Sequence, residues 1–449
     1  MVGVFLFGLA IETWNVAKKC EKRTSHQQPD VENLGSIILN VCREFTDDFP
    51  EIQLARRLFE LRPKGLNLKH LSAASIAISA SLVLSGCTSP GSVESTLQVV
   101  EVKASDTDCS MNAQEAKSGN IVFRVENAGI NVTEFYVLAS DGQTVISEVE
   151  NIGAQLTRDL VVQLAEGDYF VNCRPGMTGL GLMAPFSVNP GEQVVKSQEE
   201  MKLLEEATAE YKKFLSEQAE QLLVNTETFA QLYTEGKDNQ ARSLYPEARM
   251  FWERIEPVAE SFGDLDPILD FREADLVEGQ QWTGWHRIEK DLWPPQSGYN
   301  QLSQSEREEF AELLVLHTKD LVSRIEGLEY EAFQMSNGAK ELLDEIATGK
   351  VTGEEEIWSS TDLWDFQANI EGAEKIFTLL RPILESKDSG TVESIESKFA
   401  EVHFLLDAHR NEGGFKFYHE LSAEEIRDLA DAVNALAEPI STMTALVVS

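Results

Sequence analysis

The chain is poor in positive charge. Its 38 lysines and arginines face 76 aspartates and glutamates, a formal net charge of -38 over 449 residues. A surface that acidic repels phosphate, which excludes nucleic acid as a partner. Histidine is sparse, with none from residue 71 to residue 285. No site needing two imidazoles can be built from that stretch alone. The apolar runs Met1 to Leu9 and Leu71 to Leu84 are shorter than the ~20 residues that cross a bilayer as a helix. The zinc-protease spacing His-Glu-x-x-His is missing, and no serine, cysteine or threonine stands in a recognisable base-bearing motif. Those absences weigh against a hydrolase.

What is present begins with the acidity itself. It suits a protein that handles cations, although acidic surfaces also serve solubility alone. The length allows two or three domains, each with its own core. Residues 1–63 are unlike the rest and are expected to be a disordered extension or to lie upstream of the true start. Residues 64–87 read as a secretion signal: Lys64 and Lys69 give the positive end and Leu71 to Leu84 the apolar middle. Leu84-Ser85-Gly86-Cys87 closes it with a bacterial lipoprotein pattern,. The mature chain is thus expected to begin at a lipidated Cys87, outside the cytoplasm, periplasmic or on the cell surface. Translation would start at a non-AUG codon near Leu61 to Leu68, since no methionine intervenes.

Residues 96–190 carry strand patterns. Leu97–Val102, Asn120–Val125, Phe135–Leu138, Thr157–Leu164 and Gly167–Cys173 alternate or run apolar, with Gly-containing turns between them,. Short strands at that spacing predict a small antiparallel β-sandwich. It holds Cys109 and Cys173. An extracytoplasmic pair forms a disulfide or, with the nearby thioethers Met111 and Met177, a soft metal site suited to copper. The run Gly167-Asp168-Tyr169-Phe170-Val171-Asn172-Cys173-Arg174-Pro175-Gly176-Met177 resembles the last strand and ligand loop of the cupredoxins. It departs from them in having no histidine between the cysteine and the methionine. Copper would have to use Cys109, Cys173, Glu134 and Met177, and the disulfide stands level with that reading.

From residue 197 to 449 the apolar spacing becomes helical. It recurs in Met201–Leu223, Val224–Tyr233, Ala241–Ile255, Gln304–Ile325, Tyr330–Thr348, Thr361–Leu384, Val392–Asp407 and Ala423–Ala445,. Gly349, Gly353, Gly390 and Gly413-Gly414 break the pattern as caps and loops do,. The fold class is therefore multidomain: a small β-sandwich followed by an all-α helical bundle.

Within the bundle, Gly284-Trp285-His286-Arg287-Ile288-Glu289 places an imidazole and a carboxylate three residues apart, on one helix face,. Such a pair can supply two positions around a metal ion, and Trp282, Trp285, Leu292 and Trp293 can wall it from water. Standing alone, the same spacing is more often an ordinary surface pair. Carboxylates accumulate around it in the sequence: Glu253 and Glu256, Asp264 and Asp266, then Glu273, Asp275 and Glu278. A later run, Thr361-Asp362-Leu363-Trp364-Asp365-Phe366-Gln367-Ala368-Asn369, opens a helix, with Thr361 its cap and Asp362 a charge suited to the helix dipole,.

Gly284-x-His286-x-x-Glu289 matches the signature of the imelysin family, a peptidase family by name. The runs Tyr245-Pro246-x-Ala248-Arg249, Glu253-Arg254-Ile255-Glu256-Pro257, Asp264-Leu265-Asp266 and Thr361 to Asn369 resemble its EfeO-type members, which join a cupredoxin-like domain to an imelysin-like one. The resemblance implies an extracytoplasmic iron carrier that hands its ion to an EfeU-like permease, with an EfeB-like haem peroxidase as companion. It gives His286 and Glu289 the metal role; Glu253 and Asp275 are chosen as further ligands from position and charge. Asp365 and Asn369 are candidates for a pseudo-symmetric counterpart. Carboxylates and one imidazole suit hard iron. The alternatives are a metal-dependent peptidase, with a glutamate as base for bound water, a copper-assisted ferroxidase, and a binding lipoprotein in which the pair is only structural.

Overall fold

The computed structural model describes residues 98–191, 196–276 and 279–449. The signal-like segment, Cys87 and Glu278 lie outside the described residues.

The first part is built from nine strands: β1 (Gln98–Ala104), β2 (Cys109–Met111), β3 (Glu115–Lys117), β4 (Gly119–Asn127), β5 (Thr133–Leu138), β6 (Val145–Ile152), β7 (Thr157–Leu164), β8 (Gly167–Pro175) and β9 (Leu182–Asn189). They form a four-stranded sheet in the order β2-β1-β4-β7 and a five-stranded sheet in the order β3-β9-β8-β5-β6. Period-two alternation decides what faces inward. In β1, Val100, Val102 and Ala104 are buried while Glu101 and Lys103 face out. Phe123, Phe135 and Phe186 meet at the centre of the sandwich with ring centroids 5.4 and 5.1 Å from Phe123.

The sandwich is mixed and not purely antiparallel, because β1 runs parallel to β4 and β3 parallel to β9. Three strands that the sequence pattern does not announce, β3, β6 and β9, complete the five-stranded sheet. In β6, Glu148 and Glu150 occupy the outward positions, and β9 contains Pro185; both features dilute a strand signal.

The second part has ten helices among the described residues: α1 (Gln198–Thr234), α2 (Asp238–Glu253), α3 (Leu265–Asp270), α4 (Trp285–Leu292), α5 (Gln304–Gly327), α6 (Ala332–Thr348), α7 (Asp362–Lys387), α8 (Ser389–Ala408), α9 (Ala423–Ile440) and α10 (Met443–Val448). A two-stranded hairpin, β10 (Arg410–Asn411) with β11 (Gly414–Phe415), follows α8. The two patterns expected at 201–223 and 224–233 are one continuous helix, since no breaker separates them. Conversely, the stretch expected at 423–445 divides at Ser441-Thr442. Ser303 and Ser422 close capping boxes with Glu306 and Glu425 at the starts of α5 and α9,. α1 packs on α2 and α5, and α7 runs against α2, α6 and α8 with most of its length buried.

The sandwich rests on α6. Phe333 joins the sandwich core, and Asn337 Nδ2 donates to Ser147 Oγ and to the Val161 carbonyl, both at 2.8 Å. Along β5, Phe135 and Val137 enter the sandwich core. At the alternate positions of the same strand, Glu134 and Tyr136 line a cleft of about 640 Å³ shared with the helical part.

Candidate metal centre

The helix bearing the signature, α4, is only eight residues long and nearly all of it is buried. Gly284 starts it with φ 86°. A Cβ there would stand 2.1 Å from the Leu269 carbonyl oxygen, so only glycine allows α4 to close on α3. Thr283 Oγ1 donates to the Ile268 carbonyl at 2.9 Å, and Trp282 Nε1 to the Phe271 carbonyl at 2.7 Å. On the far side Asp291 anchors the helix, accepting from the Tyr233 and Tyr299 hydroxyls and from the Leu302 amide. Trp285 fills the space behind, its ring 5.0 Å from Phe229 and 5.7 Å from Tyr245.

His286 is completely buried. Its two nitrogens face different surroundings. Nδ1 lies 3.3 Å from Glu289 Oε2 and 3.9 Å from Glu356 Oε1. Nε2 lies 3.5 Å from both Asp270 Oδ1 and Glu355 Oε1 and makes no hydrogen bond. Two sets of side chains are therefore close enough to share an ion: Asp270, His286 and Glu355, and His286, Glu289 and Glu356. Donor atoms ~2.1 Å from one ion stand ~3.0–3.4 Å apart in octahedral or tetrahedral arrangements. The edges around Nε2 are close to that spacing. Asp270 and Glu355 also line the cleft, whereas His286, Glu289 and Glu356 lie behind them.

Charge separates the two sides as well. Burial would raise the Asp270 carboxyl, but Arg249 and His286 outweigh it and hold the group below the usual range. Burial acts on Glu355 in the same way and is overcome by Lys350, His286 and Arg272. On the Nδ1 side Glu356 is pushed well up, first by burial and then by Glu289. Asp365 is pushed well up by burial and by Glu253, and neither of its oxygens has a hydrogen-bond donor. Burial and Arg249 pull the His286 imidazole down, but Glu289, Glu355 and Asp270 prevail and lift it to about 9. Asp270 and Glu355, the pair that faces Nε2 and the cleft, are thus held ionised.

Two fixed cations brace this cage. Arg249, wholly buried, pairs with Glu253, Asp270, Glu355, Glu356 and Asp365. Lys350 pairs with Glu253 at 3.1 Å, Glu256 at 2.7 Å and Glu355 at 3.8 Å. Carboxylates still outnumber cations here, and burying such an excess is costly unless protons or a metal ion compensate it.

The expected ligands divide accordingly. His286 and Glu289 are brought together. Glu253 is bound up in Arg249, Lys350 and the Asn369 amide, which donates to it at 3.0 Å, and it belongs to neither ion-sharing set. Asp275 turns to its own neighbour Arg272, 2.8 Å away. Asp270 and Glu355, in contrast, lie close enough to His286 to share an ion with it. Asp365 and Asn369 join the same cage in place of a counterpart site, through Arg249 and through Glu253 and Glu256. Thr361 makes no cap bond; its hydroxyl meets Ser359 Oγ at 2.9 Å, and Asp362 accepts from the Glu356 amide at 3.1 Å.

In the sandwich Cys109 and Cys173 are joined in a disulfide, so the copper set of Cys109, Cys173, Glu134 and Met177 has no thiolate to offer. Glu134 instead accepts the Tyr136 hydroxyl and lies 3.8 Å from Arg174. Among the described residues, no group close enough to share an ion contains a cysteine.

The fold and the site together define a class: a β-sandwich joined to a helical bundle whose interior holds a buried imidazole–carboxylate cage at the wall of an acidic cleft. A family model described as imelysin matches residues 207–443, and the chain belongs to that family. It is similar to the "Efem/EfeO family lipoprotein" of Staphylococcus aureus strain MRSA252, 42% identical over 247 residues, which are 54% of this chain and 85% of that protein. Proteins of the same description from strains MSSA476 and MW2 match it to the same extent.

Proposed function

We propose that the protein is the extracytoplasmic iron-binding component of an Efe-type uptake system, capturing iron beside His286 and delivering it to a membrane permease. The observation that carries this reading is the His286 Nε2 atom, buried and without a partner, facing two ionised carboxylates 3.5 Å away. In this reading His286, Asp270 and Glu355 are the ligands. A hard ion is well matched to two carboxylates and one imidazole. Arg249 and Lys350 temper the attraction from within, and the cleft leaves one side of the ion open to exchange. Both traits favour a carrier, which must also release what it holds.

Location follows from three supports. The relatives are described as lipoproteins. The Leu84-Ser85-Gly86-Cys87 pattern offers a lipidation site. Among the described residues no helix is long and apolar enough to cross a membrane. We place the protein outside the cytoplasm, anchored to a bacterial membrane by lipid on Cys87, with an EfeU-like permease and an EfeB-like haem peroxidase as partners.

The test is a titration of the full chain with ferric citrate, followed by elemental analysis of the separated protein. The wild type should retain about one iron per chain, and His286→Ala and Asp270→Asn should retain none while keeping their helical circular dichroism. Equal iron in wild type and both variants would end the proposal, as would peptide hydrolysis that depends on His286.

A further inference from the structure

The family signature invites reading both of its side chains as ligands. Their geometry differs. Glu289 is fully buried, and its oxygens are already engaged. Oε1 accepts from the Trp358 amide at 3.0 Å and from the Ser359 amide at 2.7 Å. Oε2 faces His286 Nδ1 at 3.3 Å. A carboxylate can only accept, so the ring nitrogen in that contact is the donor. When a metal ion displaces one proton from the ring, the proton retained is the one on Nδ1, and the lone pair falls on Nε2. That is the atom with no hydrogen-bond partner, turned toward Asp270 and Glu355.

We propose that Glu289 is a positioning residue and not a metal ligand: held by the amides of the 358–359 loop, it fixes the tautomer and the ring plane of His286. This rests on the iron site proposed above and deepens it. A carboxylate behind a metal-binding imidazole raises the basicity of the ring and sets its orientation. The 358–359 loop thereby becomes part of the metal site without touching the ion. Glu355 and Trp358 lie on one short connection between α6 and α7, so a ligand and the amide that anchors the positioning carboxylate move together.

Gallium(III), a diamagnetic stand-in for ferric iron, allows the test by ¹⁵N NMR on full-length protein labelled at histidine. In wild type loaded with gallium, the His286 spectrum should show Nε2 bound to metal and Nδ1 carrying its proton. Glu289→Gln supplies an amide oxygen to the two backbone donors, which leaves its NH₂ facing Nδ1. The ring must then accept at Nδ1, and in ion-free protein held at alkaline pH, where the ring is neutral, its proton should move to Nε2. Affinity for gallium should fall by roughly 10–100-fold, with the number of metal–oxygen bonds by X-ray absorption unchanged. Glu289→Asp, which keeps the acceptor, should recover part of the loss and the original tautomer. Loss of one metal–oxygen bond in Glu289→Gln, or metal on Nδ1 in the wild type, would overturn the proposal. A wild type that binds no gallium, or binding indifferent to His286→Ala, would instead sink the iron site itself.

Discussion

Glu355 Oε1 stands 3.5 Å from Nε2 of His286, although the two residues come from separate parts of the chain and neither lies in a motif that announces the other. That contact sets the cage apart from a helix-surface pair. It also predicts which carboxylates matter.

Asp270→Asn and Glu355→Gln should each weaken iron binding by roughly 100-fold or more, since removing a ligand exceeds the 10–100-fold cost of disturbing its support. Asp275→Ala should leave the affinity nearly unchanged, because Asp275 serves Arg272 and belongs to neither ion-sharing set. Competition with a chromogenic chelator measures all three. Glu253→Gln breaks a buried ion pair with Arg249 and Lys350, a change that costs about 3–5 kcal/mol. It should appear in the melting temperature before it appears in the iron stoichiometry.

The cleft carries a second crowd of acids, Glu148, Glu150 and Glu260, and burial together with Glu134 pushes Glu260 up to about 7. A carboxyl raised on folding binds more protons folded than unfolded, so its stabilising contribution is present below 4.5 and is lost as pH rises through about 7. His286, raised to about 9, adds a second loss between 6.5 and 9. The ion-free protein should therefore melt at progressively lower temperature from pH 5 to pH 9. Calorimetry of chelator-treated protein would show this, and Glu260→Gln should flatten the part below pH 7.

Gly284→Ala puts a methyl group where the Leu269 carbonyl oxygen stands and asks alanine to adopt φ 86°. The strain alone is about 1–3 kcal/mol, and the clash adds to it. Iron binding should fall further than the helix content, because α4 would back away from α3 and take His286 with it. Circular dichroism and an iron titration on the same sample separate the two effects.

Removing the Cys109–Cys173 disulfide frees a loop of 64 residues. Chain entropy puts the loss of stability at about 4 kcal/mol. A Cys109→Ser/Cys173→Ser protein should unfold at lower denaturant while retaining its iron, since neither sulfur belongs to an ion-sharing group. Iron lost together with the disulfide would tie the sandwich to the site.

Much of the architecture was legible because it depends on local pattern. Alternating apolar residues announced β1, β4, β5, β7 and β8, and helical spacing announced the long helices. β6 was silent because a polar residue, Ser147, takes an inward position and an apolar one, Ile146, the opposite face, which breaks the polar–apolar rhythm. Within the site, the spacing of His286 and Glu289 could be read directly, since three residues along a helix is a fixed geometry. Glu355 gave no such sign, as it sits in an irregular connection where sequence spacing says nothing about direction. Asp270 was overlooked for Asp275, five residues further on, although the end of α3 and not the following turn meets the imidazole.

The sequence by itself determined the acidity of the chain, its division into a sandwich and a bundle, and the imidazole around which the cage forms, because composition and short-range periodicity are properties of neighbouring residues. Only the tertiary structure decided which acids stay ionised, which nitrogen of His286 is left free, and whether the two cysteines bond to each other. Those outcomes depend on distances of a few ångströms between residues tens of positions apart, and on burial, which no local pattern encodes.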